Sequence, residues 1–214
     1  DFVRHGVRLY EEKEEVRELP ESVYLQYVLF HRVNEEEIRP CRSLFYHQIQ
    51  EQIRGKSPLE TVLEINYWCA GEVAYEAGDD RTLSALSVWK RGYGRCGEES
   101  VFAVNVLRSA GIPARQVYAP YWSHCDDNHA WVEVWVDGNW HYLGACEPEP
   151  LLDLGWFEYA ASRAMLIHAR RFDGERKAWN YDTEEPESLR EEEIGSEGMV
   201  TMENEIRRYA DGVQ

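Results

Sequence analysis

The run "HAWVEVWVDGNWHYLG", residues 129–144, constrains the fold more than any other stretch of the chain. Two strand-like segments flank Asp137-Gly138, and a two-residue hairpin loop needs positive φ at both positions, which Asp and Gly tolerate. The spacing predicts a β-hairpin and its register: Val136 opposite Asn139, Trp135 opposite Trp140, Trp131 opposite Gly144 and His129 opposite Cys146. Side chains alternate along a strand, so His129, Trp131, Glu133 and Trp135 share one face with Trp140, Tyr142, Gly144 and Cys146. Ala130, Val132, Val134 and Val136 take the other face, the expected core side.

Upstream of the hairpin the pattern is helical to about residue 75. "SPLETVLEINYWCAGEVAY" offers Ser57 as N-cap, Pro58 at the first helical position and Glu60 three residues after the cap, a capping box. That helix is expected to bury Leu59, Val62, Leu63, Ile65 and Tyr67 or Trp68. "LPESVYLQYVLFHRV" also has helical spacing, with Ser22 as a cap after Pro20. "EAGDDRT" reads as a loop. "EESVFAVNVLRSAG" then combines an acidic first turn, an apolar body and Gly111 as a stop, a helix of about four turns. "IPARQVYAP" reads as a short strand and "YWSHCDDN" as a polar loop. From residue 171 onward charge dominates and apolar residues are sparse, so a surface extension or partly disordered tail is expected, with a short helix at "MENEIRRYA".

Composition limits the classes of function. With 23 basic against 40 acidic residues the net charge is −17, which repels phosphate backbones and anionic membrane surfaces, so nucleic acid is not an expected partner. No apolar run approaches the length of a membrane span, and the start "DFVRHGVRLYEEKEE" lacks the apolar stretch of a signal peptide. The chain is expected to be soluble as given, in a processed or excised form that leaves export and compartment open. At 214 residues it can bury one good-sized core with extensions. Five cysteines, Cys41, Cys69, Cys96, Cys125 and Cys146, contain no CxxC pair and suit neither a disulfide scaffold nor a zinc ribbon.

The chemistry centres on "GYGRCGEES", residues 92–100, which sets Cys96 at a helix start between Gly94 and Gly97. There the macrodipole and unsatisfied N–H groups favour the thiolate, and the glycines let a substrate backbone approach. A thiol nucleophile also needs a base that later protonates the leaving group, a task suited to histidine. Of seven histidines, His129 fits best, because it opens a strand after a polar loop and can project into a cleft. Tyr121, Trp122 and Trp156 can line a substrate groove, with core packing as the alternative for each. Cys125, His129, Cys146 and His124 have the residue types of a zinc site without paired spacing, so no metal or other cofactor is expected.

The segments "YGRCGEESVFAVNVLRSAGIPARQVY" and "DNHAWVEVWVDGNWHYLGACEPEPLLDLGWF" resemble the transglutaminase-like superfamily over roughly residues 61–170. The runs "GRCGE", "NHAWVEV" and W-x-x-x-G-x-C-E are most similar to the peptide:N-glycanase branch and to bacterial transglutaminase-like domains. The resemblance implies an α+β, papain-like core with the nucleophile helix packed on an antiparallel sheet. It also implies a Cys-His-Asp triad acting on an amide of a protein, peptide or glycopeptide, with Cys96 matching the nucleophile and His129 the base. By the same resemblance the indole N–H groups of Trp68 and Trp89 stand where the family helps hold the oxyanion, core packing being the alternative for both. The third position departs from the pattern: Gly144 stands where the orienting aspartate falls. Glu147 can bend back to replace it, Asp126 or Asp127 can act from the loop, or the orienter is missing. The expected organisation is a helical extension over 1–60, the core over 61–170 and an acidic extension over 171–214. The expected function is thiol-dependent hydrolysis or acyl transfer at an amide, the alternative a weak or inactive module used for protein interaction.

Overall fold

The computed structural model describes residues 1–78, 82–173 and 199–204, with the side chains of Asp173 and of the last six left aside. Eight helices, α1 (Phe2–Glu12), α2 (Glu14–Arg17), α3 (Glu21–Tyr24), α4 (Arg42–Ile49), α5 (Pro58–Glu72), α6 (Ala85–Arg91), α7 (Cys96–Ser109) and α8 (Glu158–Ala161), occur among these residues, and a π-turn, Leu25–Leu29, continues α3. Strands β1 (Ala74–Tyr75) and β2 (Tyr93–Gly94) form a short parallel pair. The main sheet is antiparallel, in the order β5-β4-β3-β6-β7, from β3 (Ala114–Ala119), β4 (His129–Val136), β5 (Asn139–Leu143), β6 (His168–Asp173) and β7 (Met199–Asn204).

The α+β core is built around α7. Its body is buried from Glu98 to Ser109 because α4, α5 and α6 pack on one side and the sheet on the other. Phe45 and Ile49 of α4, Val62 and Ile65 of α5, and Phe102 of α7 meet Val132 and Val134 of β4 in one apolar cluster. Ser57 and Glu60 form the expected capping box, Glu60 Oε2 accepting the Ser57 N–H at 2.8 Å. The buried face of α5 is Val62, Ile65, Asn66 and Cys69, whereas Leu59 and Tyr67 are exposed. Pro20, not Ser22, precedes α3 as its N-cap.

Asp137 and Gly138 adopt φ of 51° and 82°, and the hairpin pairs Val136 with Asn139 and Trp135 with Trp140 as the spacing required. The ladder ends at Val132 with Leu143. Trp131 does not face Gly144, nor His129 Cys146. Beyond Leu143 the chain reverses, Gly144 bridging to Glu147 with Cys146 at φ 58°. Asn66 of α5 holds that reversal, donating to the Gly144 carbonyl at 2.9 Å and accepting the Cys146 N–H at 3.0 Å.

Both faces of β4 are buried. The face opposite α7, carrying Trp131, meets a second apolar cluster of Val117, Trp122, Phe157, Ile167 and Ala169. Of the segment from residue 171 onward, 171–173 and 199–204 belong to sheet strands, so Met202–Asn204 of the expected short helix are extended, while 174–198 and 205–214 lie outside the described residues.

Buried Arg108 joins the N-terminal helices to the core. It donates to the carbonyls of Ala114, Phe30 and Arg32 at 2.9, 3.0 and 3.0 Å. Arg108→Met keeps the bulk and strands those acceptors, so urea unfolding is expected to show a loss of about 2–3 kcal/mol. An unchanged midpoint would contradict this role.

Candidate active site

Cys96 is the first residue of α7, behind the N-cap Arg95, whose N–H donates to Glu98 Oε2 at 2.9 Å. The backbone amides of Gly97 and Ala130 lie close enough to its sulfur to favour the thiolate. The turn below is fixed from the sheet. Gln116 Nε2 donates to the Gly97 carbonyl at 2.9 Å and to Ser100 Oγ at 2.7 Å, and Asn34 Nδ2 donates to Gln116 Oε1 at 2.5 Å. The thiol therefore stands on a braced helix start at the mouth of β4, with two backbone amides beside it.

A cleft of about 530 Å³ opens in front of Cys96, walled by Gln116, Tyr118, Asp127, His168 and Arg170 among others. Tyr118 pairs with Ala130 on one side and His168 on the other, so these three share the sheet face toward α7. His129 is one residue out of phase and lies on the other face. Its ring centroid is 4.6 Å from that of Trp156, 5.1 Å from Phe157 and 5.9 Å from Trp131. The ring is buried, and Nε2 has no hydrogen-bond partner among the described residues.

Glu147 occupies the space a side chain at Gly144 would enter. An ideal Cβ on Gly144 would lie 2.5 Å from Glu147 Oε2 and 2.9 Å from Glu147 Cβ. Trp156 Nε1 donates to both carboxylate oxygens at 3.1 and 3.0 Å, and the same indole packs on His129. A carboxylate thus stands over position 144, linked to the imidazole through the Trp156 indole, although the residue there is glycine. Asp127, by contrast, accepts the Asn128 N–H at 2.8 Å and lines the Cys96 cleft.

Burial governs the protonation of the site. It raises the Cys96 thiol above its usual value; the Ala130 and Gly97 amides oppose the shift, Glu99 adds to it and Arg95 opposes it. The expected thiolate is therefore not the resting state, because loss of solvent outweighs the helix start. Burial lowers the His129 imidazole to about 4, against the pull of Asp127. Glu99, one turn after Cys96, is pushed up to about 8 by burial, then by Glu147 and Glu98, so it carries its proton at neutral pH. Burial also raises Glu147, while the Trp156 N–H favours its ionised form.

The other sequence candidates lie elsewhere. Trp68 packs with Phe102 at 5.9 Å and Trp89 at 6.5 Å in the first core cluster. The Trp89 N–H is committed to Glu72 at 2.6 Å. Trp122 lies in the second cluster, its ring centroid 6.3 Å from that of His129, and Tyr121 is exposed. Among the described residues no group of three or more His, Cys, Asp or Glu side chains is arranged to hold a metal, and no helix is long and apolar enough to cross a membrane. Sequence reading missed Asn66, Gln116 and His168. Their spacing carries no signal, since each acts across elements distant in the chain.

Residues 47–145 match the family model described as the transglutaminase-like superfamily. No curated protein sequence matches the chain. Among solved structures, a candidate cysteine protease from Cytophaga hutchinsonii is 22% identical with a TM-score of 0.41; the match covers 59% of this chain and 44% of that one, so this chain spans less than half of it. LapG of Legionella pneumophila is 14% identical with a TM-score of 0.45 over 79% of this chain and 84% of its own. A candidate protease from Parabacteroides distasonis is 18% identical with a TM-score of 0.41 over 49% and 22%. The stretch that carries Cys96, the β3–β4 wall and His129 lies within the residues that match the transglutaminase-like model.

Proposed function

We propose that this chain performs thiol-dependent acyl chemistry at an amide bond of a protein, peptide or glycopeptide. The observation that carries the reading is the Cys96 sulfur at the start of α7, opening onto a cleft with the Gly97 and Ala130 amides beside it. Cys96 Sγ attacks the amide carbonyl, and backbone amides around the sulfur stabilise the oxyanion. His129 takes the thiol proton and returns it to the leaving amine, so the C–N bond breaks and a thioester remains. Water then completes hydrolysis, as in proteolysis or release of a glycosylated asparagine side chain, or a second amine completes a transglutaminase-like transfer. Glu147 supplies the carboxylate that orients His129, in place of the side chain Gly144 lacks.

One observation favours the second reading, an interaction module without efficient chemistry. The His129 ring is packed across β4 from the cleft, with thiol and imidazole both neutral. Catalysis on this geometry needs substrate binding to bring the imidazole to the sulfur.

Peptidyl chloromethyl ketones separate the two, with adducts read by mass spectrometry. Cys96 is expected to react at pH 7.5 at least about 100-fold faster than exposed Cys125, and to lose that advantage in His129→Ala. Toward iodoacetamide, which occupies no subsite, the raised thiol predicts a Cys96 rate that climbs only above the ordinary thiol range, since the thiolate is scarce below it. Cys96 reacting no faster than Cys125 with any peptidyl probe would leave the module reading in place.

A further inference from the structure

The cleft beside Cys96 contains more polar groups than the acyl chemistry uses, and most of them already satisfy one another. Arg170 pairs with Glu35 at 2.9 Å, Arg95 lies 3.8 Å from Glu98, and Asp127 accepts the Asn128 N–H at 2.8 Å. Gln116 and Asn34 are spent on each other and on the Cys96 turn. Tyr118 and His168 stand apart, adjacent on β3 and β6, on the α7 side of the sheet and packed edge to face at 5.5 Å. His168 is 9% exposed, yet its Nδ1 has no hydrogen-bond partner among the described residues. The Tyr118 hydroxyl makes no hydrogen bond to another described residue, and Tyr118 is close enough to feel the charge of Cys96.

An unpaired imidazole nitrogen shut off from solvent is costly, and a turn of the His168 ring toward the cleft it lines lets a ligand pair with it. Burial and then Arg170 lower the proton affinity of His168, so the ring is neutral at pH 7 and offers one donor and one acceptor. Arg170 and Arg95 each face a carboxylate and Asp127 accepts a backbone N–H, so each of these charges has a partner before a charged ligand arrives.

We propose that Tyr118 and His168 form the specificity subsite of the Cys96 cleft, binding an uncharged polar side chain, of amide or hydroxyl type, on the residue next to the scissile bond of a peptide. This rests on the amide chemistry proposed above. A neutral imidazole beside a phenol matches the donor and acceptor of a carboxamide, whereas a charged side chain would be desolvated without a counter-ion and an apolar one would leave the imidazole unpaired.

The test uses tripeptidyl chloromethyl ketones carrying Gln, Asn, Ser, Glu, Lys or Leu beside the reactive carbon, with the second-order rate of Cys96 alkylation read by intact mass. The carboxamide probes are expected to react about 10-fold faster than the Glu, Lys and Leu probes. His168→Phe keeps the ring and removes both nitrogens, and Tyr118→Phe removes only the hydroxyl. Each is expected to slow the carboxamide probes until they react within about 2-fold of the Leu probe. Thermal melts confirm that the variants fold, and Tyr118→Phe, the smaller change, keeps the test alive if His168→Phe does not. A preference that survives both substitutions, faster reaction with Glu or Lys, or equal slowing of every probe overturns the subsite. Cys96 reacting no faster than Cys125 with all six probes overturns the amide chemistry itself, an outcome distinct from lost selectivity.

Discussion

Cys96→Ser is expected to lower turnover of a cleaved peptide amide by at least about 1,000-fold while leaving the urea midpoint unchanged. Serine fits the first position of α7 and can receive the same Gly97 and Ala130 amides, so the fold loses nothing. What is lost is nucleophilicity. A site that raises even a thiol above its usual value holds a hydroxyl proton far more tightly, and a neutral imidazole lowered to about 4 is too weak a base to remove it. Single-turnover mass spectrometry provides the matching signature: an acyl adduct on the wild-type sulfur that is absent from the variant. Turnover within about 10-fold of wild type would show that Cys96 is not the nucleophile.

The local geometry on which that expectation rests was legible in the sequence where one short segment determines one element. Asp137-Gly138 specified the hairpin and its near register, Ser57-x-x-Glu60 specified a helix start, and the acidic turn after Cys96 placed the thiol at the head of α7. Three things were not legible, each because it depends on elements far apart in the chain. Alternation along β4 separates two faces but does not say that both are covered, and the second cover comes from Phe157, Ile167 and Ala169. Strands β6 and β7 carry charged residues that match a solvated tail, yet they extend the sheet because β3 offers a free edge. The rise of the Cys96 thiol depends on burial, which helix-start arguments omit.

The reversal at Gly144 leads to the second large effect. Glu147→Ala is expected to lower turnover by about 100-fold or more, because in related triads the carboxylate fixes the tautomer and aim of the imidazole. Gly144→Asp alone should not help: its Cβ would be 2.5 Å from Glu147 Oε2 and 2.9 Å from Glu147 Cβ, so two carboxylates would compete for one place. Combining the substitutions clears that space and returns a carboxylate to the strand position itself. Gly144→Asp/Glu147→Ala is therefore expected to exceed Glu147→Ala by about 10-fold or more, a rescue that a merely structural Glu147 would not allow. Burial raises Glu147 while the Trp156 N–H favours its ionised form, and a protonated Glu99 adds no opposing charge. If Glu147→Ala stays within about 3-fold of wild type and Asp127→Ala carries the loss, the orienting group lies in the loop before β4, and the carboxylate over Gly144 serves only to hold Trp156 on the imidazole.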